Sequence, residues 1–120
     1  MAKILVVDDS PTQLTNLVKI VQGQGHTTVT ATNGLEGYEV AKVEVPDLIL
    51  MDVVMPELNG FQATRKITKD PITQNIPIIL VTTKDQHTDK VWGERQGASG
   101  YIVKPPKEAE LIAKINELLG

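Results

Sequence analysis

The sequence predicts a doubly wound α/β domain built on a five-stranded parallel sheet. Three observations carry that expectation. Five short apolar runs recur at fairly even spacing, stretches of helical periodicity lie between them, and the two kinds alternate along the chain. Strands covered by helices on both faces read as continuous apolar runs rather than as an apolar-polar alternation. Strand-helix alternation of this kind calls for right-handed crossovers and helices on both faces of the sheet.

The elements follow in order. Lys3 to Val7 forms the first strand, and Ser10 caps a first helix that has Pro11 at its first position. Leu14, Leu17, Val18 and Val21 give that helix its apolar stripe, and Gly23 and Gly25 supply its stop. Thr27 to Ala31 is a second strand, polar enough to sit at a sheet edge. Asn33-Gly34 opens a weaker second helix containing Gly37. Leu48 to Met51 is the third strand; Asn59-Gly60 precedes a third helix that Pro71 ends. Ile78 to Val81 is the fourth strand, a fourth helix surrounds Trp92, and Tyr101 to Val103 is the fifth strand. Leu111, Ile112, Ile115, Leu118 and Leu119 mark a fifth helix, with which the chain ends. No linker, repeat or low-complexity segment interrupts the pattern, so the expectation is one domain over residues 1–120 with no output domain attached.

Composition excludes several classes of function. Twelve basic against fifteen acidic residues leave a net charge of -3, and no Lys/Arg-rich run supplies the footprint of a nucleic-acid binder. There is no cysteine, hence no disulfide framework and no thiolate zinc site. No apolar run approaches a membrane span, and Met1-Ala2-Lys3 passes straight into the first strand without a secretory leader. A soluble, cytoplasmic protein is expected, with neither direct nucleic-acid contact nor membrane insertion.

In open α/β sheets ligands bind outside the carboxyl ends of the strands. Those ends carry Asp8 and Asp9, Asp52, Thr82 and Lys104. Each has an ordinary reading when taken singly: a helix-start acid, a turn residue, a β-branched strand residue, a solvated cation. Together they bring three acids, a hydroxyl and an ammonium to one edge from four strands. Two carboxylates about 4 Å apart repel by about 4 kcal/mol at an effective dielectric near 20, so the cluster requires positive charge. Lys104 can neutralise one acid; three hard oxygen donors without histidine or cysteine suit Mg²⁺, which binds through one or two carboxylates plus phosphate. A carboxylate screened in this way, Asp52, is suited to attack a phosphoryl donor, with Thr82 and Lys104 placed for the transferred oxygens.

At this point the chain resembles the response-regulator receiver domains. The resemblance rests on the acid pair in VVDDS, the segment Asp52-Val53-Val54-Met55-Pro56 with Gly60 after it, Val81-Thr82, Gly97-Ala98, and Tyr101-Ile102-Val103-Lys104-Pro105. It covers the whole chain in the right order. It implies the flavodoxin-like strand order 2-1-3-4-5, which is the general rule for receivers of the chemotaxis type rather than a result of the periodicity. It further implies that Asp52 is the phosphoacceptor, supplied by a histidine kinase. Asp9 and Asp52 would ligate Mg²⁺ directly, the main-chain carbonyl of Val54 would be a further ligand, and Asp8 would act mostly through water. Lys104 would pair with the phosphoryl oxygens, Thr82 would turn inward to them, and Tyr101 would follow it. A cis peptide at Lys104-Pro105 is also implied.

The run from Asp89 to Ala98, with Gly60-Phe61-Gln62-Ala63-Thr64, is similar to the single-domain receivers of type IV pilus chemosensory systems. That implies a role in twitching motility or related signalling, through a downstream motility or signalling protein or as a phosphate sink. Trp92 and Arg95, of residue types enriched at interface hot spots, then become candidates for a partner face coupled to Tyr101. The ordinary reading of Trp92 is core packing. A monomer is expected, with a dimer as the alternative. Val54, Thr83 and Lys84 stand at the mouth of the site where they would alter water access; Pro106 follows Pro105, and Lys107 is a poor cap. His26 and His87 read as exposed loop residues, and Phe61 and Tyr38 as core or boundary positions.

Two other functions fit the same fold, since fold does not dictate function. A flavodoxin-like electron carrier needs a glycine-rich first loop with free N–H groups, whereas Asp8-Asp9-Ser10-Pro11 offers two acids and a residue without a donor. A phosphorylation-independent interaction module would have no reason to keep five mutually dependent groups.

Overall fold

The computed structural model describes residues 1–120. Its elements alternate throughout: β1 (Lys3–Val7), α1 (Pro11–Gly23), β2 (Thr27–Ala31), α2 (Gly34–Glu44), β3 (Leu48–Met51), α3 (Gly60–Lys69), β4 (Ile78–Thr82), α4 (His87–Arg95), β5 (Gly100–Val103) and α5 (Glu108–Leu119). All strand pairs are parallel, in the order β2-β1-β3-β4-β5. The polar second strand is at an edge, as its composition requires. Each expected strand is present; Thr82 closes β4 rather than following it, and Gly100 opens β5.

Burial explains the apolar runs. Ile4 to Val7, Leu48 to Met51 and Ile78 to Val81 are fully buried because β1, β3 and β4 have helices above and below. On one face Leu17 and Val21 of α1 and Leu111 and Ile115 of α5 pack on Ile4, Val6, Leu50 and Ile79. On the other, Ala41 of α2 and Phe61, Ala63 and Ile67 of α3 pack on Leu5, Val7, Ile49 and Leu80. Gly93 lets α4 approach the same layer, since a methyl group there would meet Leu80 at 2.8 Å and the Tyr101 ring at 3.3 Å.

The helix starts follow local chemistry. The Ser10 hydroxyl accepts from the Gln13 amide, the Asn33 side chain from the Glu36 amide, and Asn59 and Gln62 form a reciprocal capping box at α3. Lys107 caps nothing with its side chain, as expected. α1 ends where Gly25 takes φ +86°, a conformation that costs glycine little. Two readings are corrected here. His87 is not in a loop but opens α4. His26 is only partly exposed: its Nδ1 accepts from the Ala2 amide at 3.0 Å, which returns the residue to the protein as a tie between the N-terminus and the α1–β2 loop.

Two non-glycine residues have a positive φ, Glu57 at 68° and Val45 at 42°, and the β-branched Val45 is the costlier. Val45, which ends α2, has φ 42° and ψ 64°, and for a β-branched side chain the left-handed region costs about 1–2 kcal/mol. It is half exposed, so little packing offsets that cost. Val45→Asn should stabilise the protein by about 1 kcal/mol, seen as a higher urea midpoint at unchanged slope. A lowered midpoint would mean that the valine side chain contributes more packing than its exposure indicates.

Candidate functional site

The backbone ladder brings the acidic residues together. Val7 is paired with Met51, so the residues that follow them leave the sheet side by side. The ladder continues for one residue on each: the Asp8 amide donates to the Ala31 carbonyl at 3.1 Å and the Asp52 amide to the Val7 carbonyl at 2.9 Å. In the same way the Lys104 amide donates to the Thr82 carbonyl at 2.8 Å, which fixes the base of the lysine beside β4. Three side chains are thus aimed at one spot by strand register.

Carboxylate oxygens of Asp8, Asp9 and Asp52 all lie within 4.8 Å of one another. Asp8 is fully buried, Asp52 nearly so, and Asp9 is exposed. The Lys104 ammonium, itself 7% exposed, donates to Asp8 Oδ2 at 2.6 Å and lies 3.4 Å from Asp52 Oδ2. Asp8 Oδ1 also accepts from the Ser10 amide at 2.9 Å, and Asp52 Oδ1 from the Val53 amide at 2.7 Å. Burial pushes the Asp52 carboxyl above the usual range; Lys104 pulls it down, and Asp8 pushes it up again. The balance is upward because loss of water around the carboxylate outweighs an ammonium that Asp52 must share with Asp8. Hard oxygen donors in this number, short of positive charge and with no histidine or thiolate beside them, fit a Mg²⁺ ion.

Close approach of backbones fixes the loop after Asp52. The Gly60 amide donates to the Val53 carbonyl at 2.8 Å, and a Cβ on Gly60 would fall 2.0 Å from the Asp52 carbonyl oxygen. Gly34, the first residue of α2, stands in the same relation to the Leu58 carbonyl, again at 2.0 Å. Sequence reasoning treated both as helix-start glycines within Asn-Gly pairs and missed that each one clears a carbonyl; only the spacing of eight residues from Asp52 to Gly60 hinted at it. It also missed the orienting amide of Val53, because a backbone donor leaves no mark in residue type.

The remaining expected residues divide. Thr82 is fully buried, and its hydroxyl accepts from the Lys84 amide at 3.3 Å, which leaves its proton free to donate. Tyr101 is partly buried and donates its hydroxyl to the Lys84 carbonyl at 2.7 Å. Its phenol is pushed up to about 12 by burial and by the carboxylates of Asp89 and Asp85. Lys84 lies 3.7 Å from Asp89, so the cation at the mouth is drawn toward α4. Val54 and Thr83 are exposed, and the Lys104-Pro105 peptide is cis. Trp92 is 51% exposed, which rules out core packing as its role, and Arg95 is exposed beside it. The structure does not bring Trp92 or Arg95 into the acidic cluster; they stand on α4, which packs through Gly93 against Leu80, Tyr101 and Phe61. No helix is long and apolar enough to cross a membrane.

Comparison with known proteins agrees with this geometry. The sequence profile of the response regulator receiver domain matches residues 4–116. The chain is 56% identical to Protein PilH of Pseudomonas aeruginosa over 119 residues, covering 99% of this chain and 98% of that protein. It is 36% identical to the response regulator PleD of Caulobacter vibrioides over 117 residues, but spans 26% of PleD's length. Among solved structures, the receiver domain of a Pseudomonas aeruginosa sensor histidine kinase, which has a magnesium ion coordinated in its active site cleft, superposes with a TM-score of 0.92 at 29% identity, covering 99% of this chain and 98% of that one. Parallel strands in the order 2-1-3-4-5, an acid cluster at their carboxyl edge and similarity along nearly the whole chain lead to one family: this protein is a response regulator receiver domain.

Proposed function

We propose that Asp52 accepts a phosphoryl group from a histidine kinase and that the modified domain signals through a protein-binding face on α4 and β5. The observation that carries this is the convergence of the Asp8, Asp9 and Asp52 carboxylates within 4.8 Å beneath a single buried ammonium. Asp8, Asp9 and Asp52 would hold Mg²⁺, with the main-chain carbonyl of Val54 as a further ligand. Bound there, the ion supplies positive charge for the oxygens of the incoming phosphoryl group. The Val53 amide holds one oxygen of Asp52 and thereby orients the carboxylate for attack. As an Asp52 oxygen bonds to phosphorus, the bond from phosphorus to the kinase imidazole nitrogen breaks, and its electron pair stays on that nitrogen. Lys104 then shifts from Asp52 toward the phosphoryl oxygens, and the free proton of Thr82 donates to another.

The switch acts through Lys84. Thr82 accepts from the Lys84 amide and Tyr101 donates to the Lys84 carbonyl, so movement of the Thr82 side chain toward a phosphoryl oxygen would draw it from that amide and shift the residue that holds Tyr101. Tyr101 abuts Gly93, and Trp92 is the next residue, so the change reaches an exposed aromatic. The likeness to PilH supports a place in a type IV pilus chemosensory pathway, and near-complete coverage of PilH supports a receiver that works without an attached output domain. The protein would assist its own phosphorylation and hydrolysis without being an enzyme toward other substrates, and would act in the cytoplasm as a monomer.

Three tests follow from this reading. Acetyl phosphate should label the protein only when Mg²⁺ is present, and Asp52→Asn should not be labelled; equal labelling of the two proteins refutes the assignment. Lys104→Met leaves Asp8 and Asp52 facing each other, so in EDTA it should lose about 3–5 kcal/mol of stability, and Mg²⁺ should restore part of it. An EDTA melt matching wild type would show that the ammonium does not hold the cluster together. Binding of a beryllium fluoride phosphoryl analogue should alter the fluorescence of Trp92, the only tryptophan; an unchanged spectrum at saturation would remove the link from the acid cluster to α4.

A further inference from the structure

Away from the acid cluster, one patch is strongly basic on a chain that is acidic overall. Arg65, Lys66 and Lys69 on α3 line a shallow cavity of about 430 Å³ together with Tyr38 of α2, Asp70 and Pro71. None of the three cations lies within 4 Å of a carboxylate, whereas Lys42, the fourth cation of the patch, is paired with Glu39 at 3.3 Å. Tyr38 organises the patch. Its ring has the Lys42 ammonium 4.5 Å and the Lys66 ammonium 5.5 Å from its centroid, within cation–π range. Its hydroxyl donates to Asp70 Oδ2 at 2.6 Å, which holds the Asp70 carboxyl below the usual range and fixes the cavity wall.

Cations in the last turn of a helix offset its dipole, which accounts for Lys66 and Lys69. That does not account for Arg65, nor for three unpaired cations sharing one cavity with an aromatic ring. From these observations we propose that the α2–α3 cavity around Tyr38 docks an acidic segment of a partner protein, with Arg65, Lys66 and Lys69 receiving its carboxylates.

Charge decides the class of occupant. Arg65 and Lys69 are four residues apart and so stand on one helix face about 5–6 Å from each other, a spacing that separate carboxylates along a peptide can match. Asp70 sits in the wall, and its repulsion scales with the charge brought beside it, so singly charged carboxylates are tolerated better than a phosphate dianion. The net charge of -3 opposes a nucleic-acid backbone at long range, while the patch acts within the screening length of about 8 Å. The patch is also remote from Asp52. Gly60 touches the Asp52 carbonyl, and Arg65 and Lys69 follow it by five and nine residues, about 8 and 13 Å along the helix axis. Docking here is therefore a tether that operates in both phosphorylation states.

The test is a titration of the nitrogen-15 labelled protein with hexaglutamate at low ionic strength, followed by backbone amide shifts. The expected result is saturable shifts confined to Tyr38, Lys42 and residues 65–70. Arg65→Glu/Lys69→Glu, both exposed positions, should lower affinity by about tenfold or more, while Lys19→Glu on α1 should leave it unchanged. Adding beryllium fluoride and Mg²⁺ should not change the affinity. Shifts scattered over all lysines, tighter binding of an oligothymidylate than of hexaglutamate, indifference to the double substitution, or an affinity altered by the phosphoryl analogue would each overturn the proposal.

Discussion

A single buried ammonium stands between two buried carboxylates, with a third carboxylate beside them, at the carboxyl edge of this sheet, and much of the remaining architecture serves to make that arrangement tolerable. Lys104 reaches Asp8 at 2.6 Å and Asp52 at 3.4 Å, with almost no exposure to water for any of the three. Buried ions are retained only where partners and hydrogen bonds satisfy them. The backbone provides those partners: the Ser10 and Val53 amides each hold an oxygen that the lysine does not reach. The excess of negative charge that remains is what makes the cluster receptive to a divalent cation, which a neutral site would not attract.

The sheet makes such precision inexpensive. Because β1, β3 and β4 are covered on both faces, their register is fixed by packing, and a slip of one residue would reverse which apolar side chains face which helices. The residues immediately beyond the strands inherit that accuracy. Loop residues would not: Lys84 is held by one local hydrogen bond, to Thr82, and one long-range bond, from Tyr101.

Much of this was legible in the sequence, for physical reasons that differ by element. Strands such as LILM at Leu48 to Met51 are readable because complete burial leaves no alternative to an apolar run. The helix starts at Ser10, Asn33 and Asn59 are readable because capping requires particular side chains. The acids were readable as a set because they end their strands. What escaped was whatever depends on backbone atoms or on the third dimension: the amide that orients Asp52, the tie from Ala2 to His26, and the assembly of Tyr38, Lys42 and Arg65 from two helices. Composition argued, correctly, against a basic run, yet cations from α2 and α3 gather into a patch that no linear window displays.

The two glycines that clear carbonyl oxygens have a further bearing on how this chain can vary. Gly34 touches the peptide of Leu58, and Gly60 touches that of Asp52, so the β3–α3 connection is gripped at both its beginning and its end by helix termini. A connection held in that way tolerates exchange of side chains at Val54 or Leu58 far better than a change in its number of residues. Insertions and deletions among relatives should therefore accumulate elsewhere, and the distance in residues from Asp52 to Gly60 should behave as a fixed dimension of the fold.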